Sequence, residues 1–249
     1  STILFNELTR EDLRRIAPEA VALLPVGATE QHGPHLPVGT DHFAVEHIAR
    51  EAARAVAERM PIVVAPTLPF GSSHHHLAFG GTFSLSTETY YRVVFELVES
   101  LLIDGFRRVF ILNGHGGNAE LIQLVARDLA LAKTADIAAA SYWTIAWDDL
   151  VRLDAQRDGR FPGHAGTFET SLVLALRPEL VREPRPHRDD VAPWEPRIAP
   201  PYRFERHGSW QEIDGFTDSP DRGTSERGRL YLATIAGAVG RARTRADVS

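Results

Sequence analysis

Val21-Ala-Leu-Leu-Pro-Val26 is apolar at every position and runs straight into Gly27. A strand with one wet face alternates polar and apolar residues. An unbroken apolar run therefore marks a strand buried on both faces, the situation in a parallel sheet. Ile62-Val-Val-Ala65 and Arg108-Val-Phe-Ile-Leu112 repeat the pattern, and Ile137 to Tyr142 reads as a further strand. The segments between carry helical periodicity: Val45, Ile48, Ala49, Ala52 and Val56 share one face, as do Val93, Val94, Leu97 and Leu101. Leu121, Ile122, Val125 and Leu129 form a third such stripe after Gly117. The order β-α-β-α-β-α-β predicts an α/β fold, a mainly parallel sheet with helices on both faces.

Past Trp143 the pattern changes. One apolar helix is expected around Ser171 to Leu176, then a Pro-rich irregular stretch from about 177 to 222, and a closing helix over Ser225 to Arg241. The Pro-rich stretch has too little apolar periodicity for a core of its own, so a single domain over 1–249 is expected.

Composition narrows the function. With 249 residues, 43% of them hydrophobic, the chain can bury about three quarters of its unfolded surface without staples. It has no cysteine, which removes disulfides, thiolate metal sites and thiol nucleophiles. The net charge of −6, with no long basic cluster, argues against nucleic acid or an anionic membrane as partner. No apolar run approaches the roughly 20 residues of a membrane helix. Residues 1–7 show neither a basic leader nor an apolar signal region, so a cytoplasmic protein is the expectation.

The ligand chemistry left is His, Asp and Glu, and it gathers where predicted strands end. Thr29-Glu30-Gln-His32-Gly-Pro-His35-Leu-Pro37 follows the first strand, with Thr40-Asp41 opening the next helix. Two carboxylates and an imidazole at this spacing suit Zn²⁺, Mn²⁺ or Fe²⁺. Taken alone, the same residues also read as a surface loop and a helix cap. Asn113-Gly-His115-Gly-Gly-Asn118 follows the third strand and brings His115 to the same sheet edge. Gly163-His164-Ala-Gly166 leads to Glu169-Thr170 in the first turn of the next helix, where Glu169 can point back to the site or simply complement the helix dipole.

Together, in this order and at these separations, the three segments resemble the creatininase (creatinine amidohydrolase) family, over about residues 20 to 176. The resemblance implies a three-layer α/β/α fold, a homo-oligomer, often a hexamer, and a two-metal site that hydrolyses a cyclic amide or a related C–N or C–C bond of a small-molecule substrate. It places Glu30 and His115 on one ion, His32 on the other, Asp41 between them, and His164 as the proton-transferring acid/base. Creatininase carries Glu two residues after the histidine matching His115. Here that position is Gly117, and Glu169 is the expected replacement. Three carboxylates, two divalent ions (Zn, Mn or Fe) and a bridging hydroxide sum to no net charge, which allows burial.

The substrate is the open part. The family's substrate-covering Trp before the histidine matching His164 is missing, since Arg160, Phe161 and Pro162 stand there. That puts creatinine in doubt and leaves a formamidopyrimidine, a keto-inositol or a peptide as alternatives. His75 and His76 of the His74-His75-His76 tract, the Phe79 to Phe83 loop, and Trp143 with Trp147 are the candidate substrate contacts. The reading from another class is a non-catalytic small-molecule-binding α/β protein.

Overall fold

A computed structural model describes residues 3–157, 159–190 and 205–246. Its helices and strands, in chain order, are α1 (Arg10–Ile16), β1 (Val21–Val26), α2 (Thr40–Val56), β2 (Ile62–Val64), α3 (Thr87–Ile103), β3 (Arg108–Asn113), α4 (Ala119–Ala132), β4 (Asp136–Ser141), α5 (Tyr142–Ile145), α6 (Trp147–Arg152), α7 (Thr167–Leu176), α8 (Ser209–Glu212) and α9 (Ser225–Ala246). The strands form one sheet in the order β2-β1-β3-β4, every pair parallel.

The unbroken apolar runs are buried on both faces because each face carries helices. Val21 and Leu23 of β1, with Phe110 and Leu112 of β3, pack under α2, α5, α6, α7 and α9. Ala22, Leu24 and Val26, with Val109 and Ile111, pack under α1, α3 and α4. Period-2 alternation thus assigns neighbouring residues to two different cores. The result is the expected three-layer α/β/α arrangement. No helix among the described residues is long and apolar enough to cross a membrane.

The strand order positions the site. The chain leaves β1 for β2 on one side, while β3 lies on the other, so the loops after β1 and β3 diverge from adjacent strand ends. That divergence opens a crevice at the carboxyl edge.

Several elements lie outside the sequence expectation. α1 is capped by Thr9, whose hydroxyl accepts from Asp12 N while Asp12 receives the Thr9 N–H. β4 ends at Ser141, one residue early, because Tyr142 begins α5. The Pro-rich stretch lies partly outside the described residues, at 191–204. Its described parts include α8 at Ser209–Glu212, and some of them are buried: Phe216 packs on Leu36, Ala165 and Val173.

Asp218, also from that stretch, is 1% exposed. Its carboxylate accepts from Thr167 N at 2.6 Å, Thr167 Oγ1 at 2.8 Å, Thr217 Oγ1 at 3.0 Å and Arg160 N at 3.1 Å. It therefore clips the start of α7 to both flanking loops. Gly159 and Gly166 make room for it, since a Cβ on either would collide with the carboxylate.

Replacing Asp218 by Ala leaves the Thr167 and Arg160 amides without their acceptor, while the two hydroxyls keep Ser219 O and His164 O. The expected loss is about 3 kcal/mol of unfolding free energy, read from urea denaturation with an unchanged slope. A loss below about 1 kcal/mol would show that the clip does not hold α7.

Candidate metal centre

The two loops that carry the site are latched together by amides. Asn113 Oδ1 accepts from His115 N at 3.0 Å and Asn113 Nδ2 donates to His115 O at 2.7 Å, which folds the turn after β3 back on itself. Asn118 Nδ2 donates to Gly27 O at 3.0 Å, tying that turn to the end of β1. Glu30 N donates to Val38 O at 2.9 Å across the loop that precedes α2, so Glu30 and Asp41 approach one point from its two ends. Glu169 sits in the first turn of α7. Its Oε2 accepts from Ala165 N at 2.6 Å, and Ala165 takes a left-handed conformation with φ 48° to deliver that N–H.

These side chains converge. His115 Nδ1 lies 3.2 Å from Glu30 Oε1 and 3.1 Å from Asp41 Oδ2. His32 Nε2 lies 3.1 Å from Asp41 Oδ1 and 3.7 Å from Glu169 Oε2. Asp41 therefore turns one oxygen to each histidine. Behind them, His32 Nδ1 rests 3.0 Å from Glu30 O, and His115 Nε2 lies 3.1 Å from Ser72 O and 3.2 Å from Ser73 Oγ. These outer contacts aim His32 Nε2 and His115 Nδ1 inward. Glu30, His32, Asp41, His115 and Glu169 are each 5% exposed or less.

Both Glu30 oxygens and Asp41 Oδ2 are buried without a hydrogen bond. Leaving three carboxylate oxygens unbonded in a dry cavity is costly for a protein that has no cation to place there. The donor set, three carboxylates and two inward imidazole nitrogens, fits divalent ions. His32, Asp41 and Glu169 bring ligand atoms within 4.8 Å of one another, and so do Glu30, His75 and His115.

The electrostatics describe the same attraction for positive charge. Burial works against a charged His115 and a charged His32, yet Glu30 and Asp41 hold His115 well above the usual imidazole range. Asp41, Glu169 and Glu30 lift His32 to about 10. Burial also opposes ionisation of Glu30, but His115, His164 and His32 keep it well below the usual carboxylate range. Glu169 goes the other way, pushed up to about 8 by burial and Asp41 against the pull of His32. His164 is held well below its ordinary value by burial and by His32, and burial takes His76 down to about 3.

A cavity of about 770 Å³ opens over this cluster, lined among others by His75, His76, Trp143, His164 and Trp210. His164 places Nδ1 3.6 Å from Glu30 Oε1. Trp147 does not reach the cavity, because it packs in the core against Phe161 at 4.7 Å between ring centres. The Phe79 to Phe83 loop borders the site through Thr82, whose Oγ1 accepts from Gln31 N at 3.1 Å, and through Phe79, whose ring centre lies 6.3 Å from that of His76. Gly117 has no room for a side chain: a Cβ there would meet His115 Nε2 at 2.5 Å and run into Ser72 O.

Two residues in or against the cavity wall had no advance signal. Gln31 reaches His76, His164 and Gly215 O with one amide nitrogen, although it stands inside the quoted Glu30-Gln-His32 motif. Trp210 stands edge-on to His76 and His164 at 4.7 and 5.3 Å. It comes from a Pro-rich stretch without periodicity, and nothing in the sequence marked it.

Known proteins resemble this chain over most of its length. The family model described as "Creatininase: Creatinine amidohydrolase" matches residues 6–242. The creatinine amidohydrolase of Pseudomonas putida is 32% identical over 249 residues, 93% of this chain and 92% of that one. A mycofactocin precursor peptide peptidase of Mycobacterium tuberculosis is 33% identical over 91% of this chain and 85% of its own. A mutant creatininase solved in complex with creatine superposes with a TM-score of 0.82 at 27% identity, covering all of both chains. Creatininases have also been solved in manganese and zinc–zinc forms. By sequence over nearly its whole length, and by fold, the chain belongs to the creatininase family.

Proposed function

We propose that this hydrolase-family chain is a dinuclear metal-dependent amidohydrolase that opens a cyclic amide or a related small polar ring at a C–N bond. The observation that carries it is the set of buried, unbonded Glu30 and Asp41 oxygens facing inward imidazoles at the floor of an open cavity. Glu30 and His115 would hold one divalent ion (Zn, Mn or Fe) and His32 and Glu169 the other, with Asp41 available to both. The split of Asp41 oxygens between His115 and His32 supports this division. The closed space at Gly117 supports Glu169 as the second carboxylate.

Bound ions supply Lewis acidity and water that ionises near neutral pH. The chain's own work is positional. His164, beside Glu30, carries a proton between water and the leaving nitrogen. His75, His76 and Trp143 form the wall against which a small polar substrate rests. Phe161 is buried in the core and covers nothing in the cavity, so the family's creatinine-covering aromatic has no counterpart there. A ring other than creatinine is therefore favoured. A purely binding role is disfavoured, because a sugar or nucleotide site has no need for three buried carboxylates around two imidazoles.

Chelation is expected to abolish hydrolysis across a panel of creatinine, an N-formylated aminopyrimidine and a short peptide, and Mn²⁺, Zn²⁺ or Fe²⁺ to restore it. Undiminished hydrolysis by a verified metal-free preparation contradicts the mechanism. His164→Ala should keep both ions and lose roughly 10²–10⁴-fold in turnover. Loss of an ion instead would make His164 a ligand.

Glu169→Gln should lower metal content from about two toward one ion per chain, as an amide replaces an anionic donor. Retention of both ions at parent affinity would reduce Glu169 to a helix-start residue.

The raised values of His115, His32 and Glu169 mean that the metal-free site carries protons at pH 7, which entering ions must displace. Metal affinity should therefore rise as pH climbs from 7 toward 10. Calorimetry in buffers of different ionisation enthalpy should read about two or more protons released per chain. Metal uptake without proton release would contradict the ligand set.

A further inference from the structure

The side chain of Gln31 points at a stacked pair of histidines. The rings of His76 and His164 lie 4.2 Å apart and 19° from parallel. At their shared edge the Gln31 amide nitrogen has three neighbours within hydrogen-bond distance: His76 Nδ1 at 2.9 Å, Gly215 O at 3.0 Å and His164 Nε2 at 3.1 Å. An amide nitrogen has two hydrogens, so one neighbour must go without.

The contacts around this group decide which. Gly33 N donates to Gln31 Oε1 at 2.8 Å, and that bond fixes which end of the amide is nitrogen. Gly215 O can only accept, so it takes the first hydrogen. His164 Nε2 also lies 2.9 Å from the backbone oxygen of Gln31, which can only accept as well. His164 must therefore carry its hydrogen on Nε2 to make that bond. A protonated Nε2 cannot accept from the amide, so the second amide hydrogen goes to His76 Nδ1. The opposite assignment, with His164 Nε2 bare, would leave both Gln31 O and His76 Nδ1 without a donor in a buried place, and each loss is costly.

We propose that His76 is a positioning residue for the hydrolysis: by taking the second hydrogen of the Gln31 amide, it holds His164 in the tautomer whose bare Nδ1 faces Glu30 and the carboxylate cluster. The proposal rests on the reading of His164 as the proton carrier and gives that carrier a direction. His164 enters as an acceptor, takes a proton at Nδ1, and gives it up to the leaving nitrogen afterwards. Without His76 as acceptor, the second amide hydrogen competes with Gln31 O for His164 Nε2, and the Nδ1-protonated form, which blocks the first transfer, gains population.

The test uses the full chain loaded with Zn²⁺ and labelled with ¹⁵N-histidine, with His164 assigned by its loss in His164→Gln. Ring-nitrogen spectra of the parent should show His164 protonated on Nε2 and bare on Nδ1. His76→Leu should shift His164 toward the Nδ1-protonated form. Turnover on the panel's best amide should fall in proportion to the Nε2-protonated fraction of His164 that the spectra read, with zinc content unchanged. His76→Asn, whose Oδ1 can stand where Nδ1 stood, should keep both the parent tautomer and most of the turnover.

An Nδ1-protonated His164 in the parent would overturn the proposal, as would parent turnover in His76→Leu. Lost turnover in His76→Asn with the His164 tautomer unchanged would also overturn it. If His76→Leu does not fold, His76→Phe, a ring of similar shape without an acceptor, is expected to give the same shift and loss, and an unchanged tautomer and turnover there would overturn the proposal. If the parent hydrolyses none of the amides, it is the functional reading that fails, and the spectra still report the tautomer.

Discussion

Asp41 stands between His32 and His115, each ring nitrogen 3.1 Å from a different carboxylate oxygen. Glu30 lies against one of these imidazoles and Glu169 against the other. Three carboxylates in so small and dry a space repel one another, and they stay together only if positive charge sits among them. The rest of the architecture serves that constraint. The Asn113 and Asn118 amides latch the turn that carries His115 to the end of β1. The Asp218 clip fixes the start of α7, from which Glu169 projects. The strained Ala165 supplies the N–H that aims Glu169.

The parallel sheet was legible because burial on both faces removes the polar alternation from a strand, and β1 and β3 have none. The cluster was legible for a related reason: carboxylates and imidazoles at strand ends have few alternative uses, and the three segments recur together in one family. Other features left no periodic trace. α1 is too short for an apolar stripe, although Thr9 and Asp12 carry a capping signature. Asp218 and Trp210 reach α7 and the cavity from a Pro-rich stretch, and nothing in the local sequence says where such a stretch will lie. Trp147 shows the converse. Its residue type suggested a pocket wall, but helix α6 turns it into the core beside Phe161.

The cavity wall and its floor answer to different demands. The floor needs anions held against their repulsion, so its carboxylates and imidazoles are buried and backed by backbone contacts. The wall joins imidazoles, Trp143 and Trp210 in a space of about 770 Å³, within the usual range for small-ligand pockets. Trp210 is set edge-on to His76 and His164 and comes from the tail of the chain. Within a family whose members bear names as different as creatinine amidohydrolase and peptide peptidase, such wall residues are where substrate choice can change.

The central claim is that this floor binds two cations, one on each side of Asp41. Anomalous diffraction from crystals grown with Mn²⁺ or Zn²⁺ tests it most directly. The account predicts two peaks per chain, one against Glu30 and His115 and the other against His32 and Glu169. A single peak, or none within reach of Asp41, would contradict it.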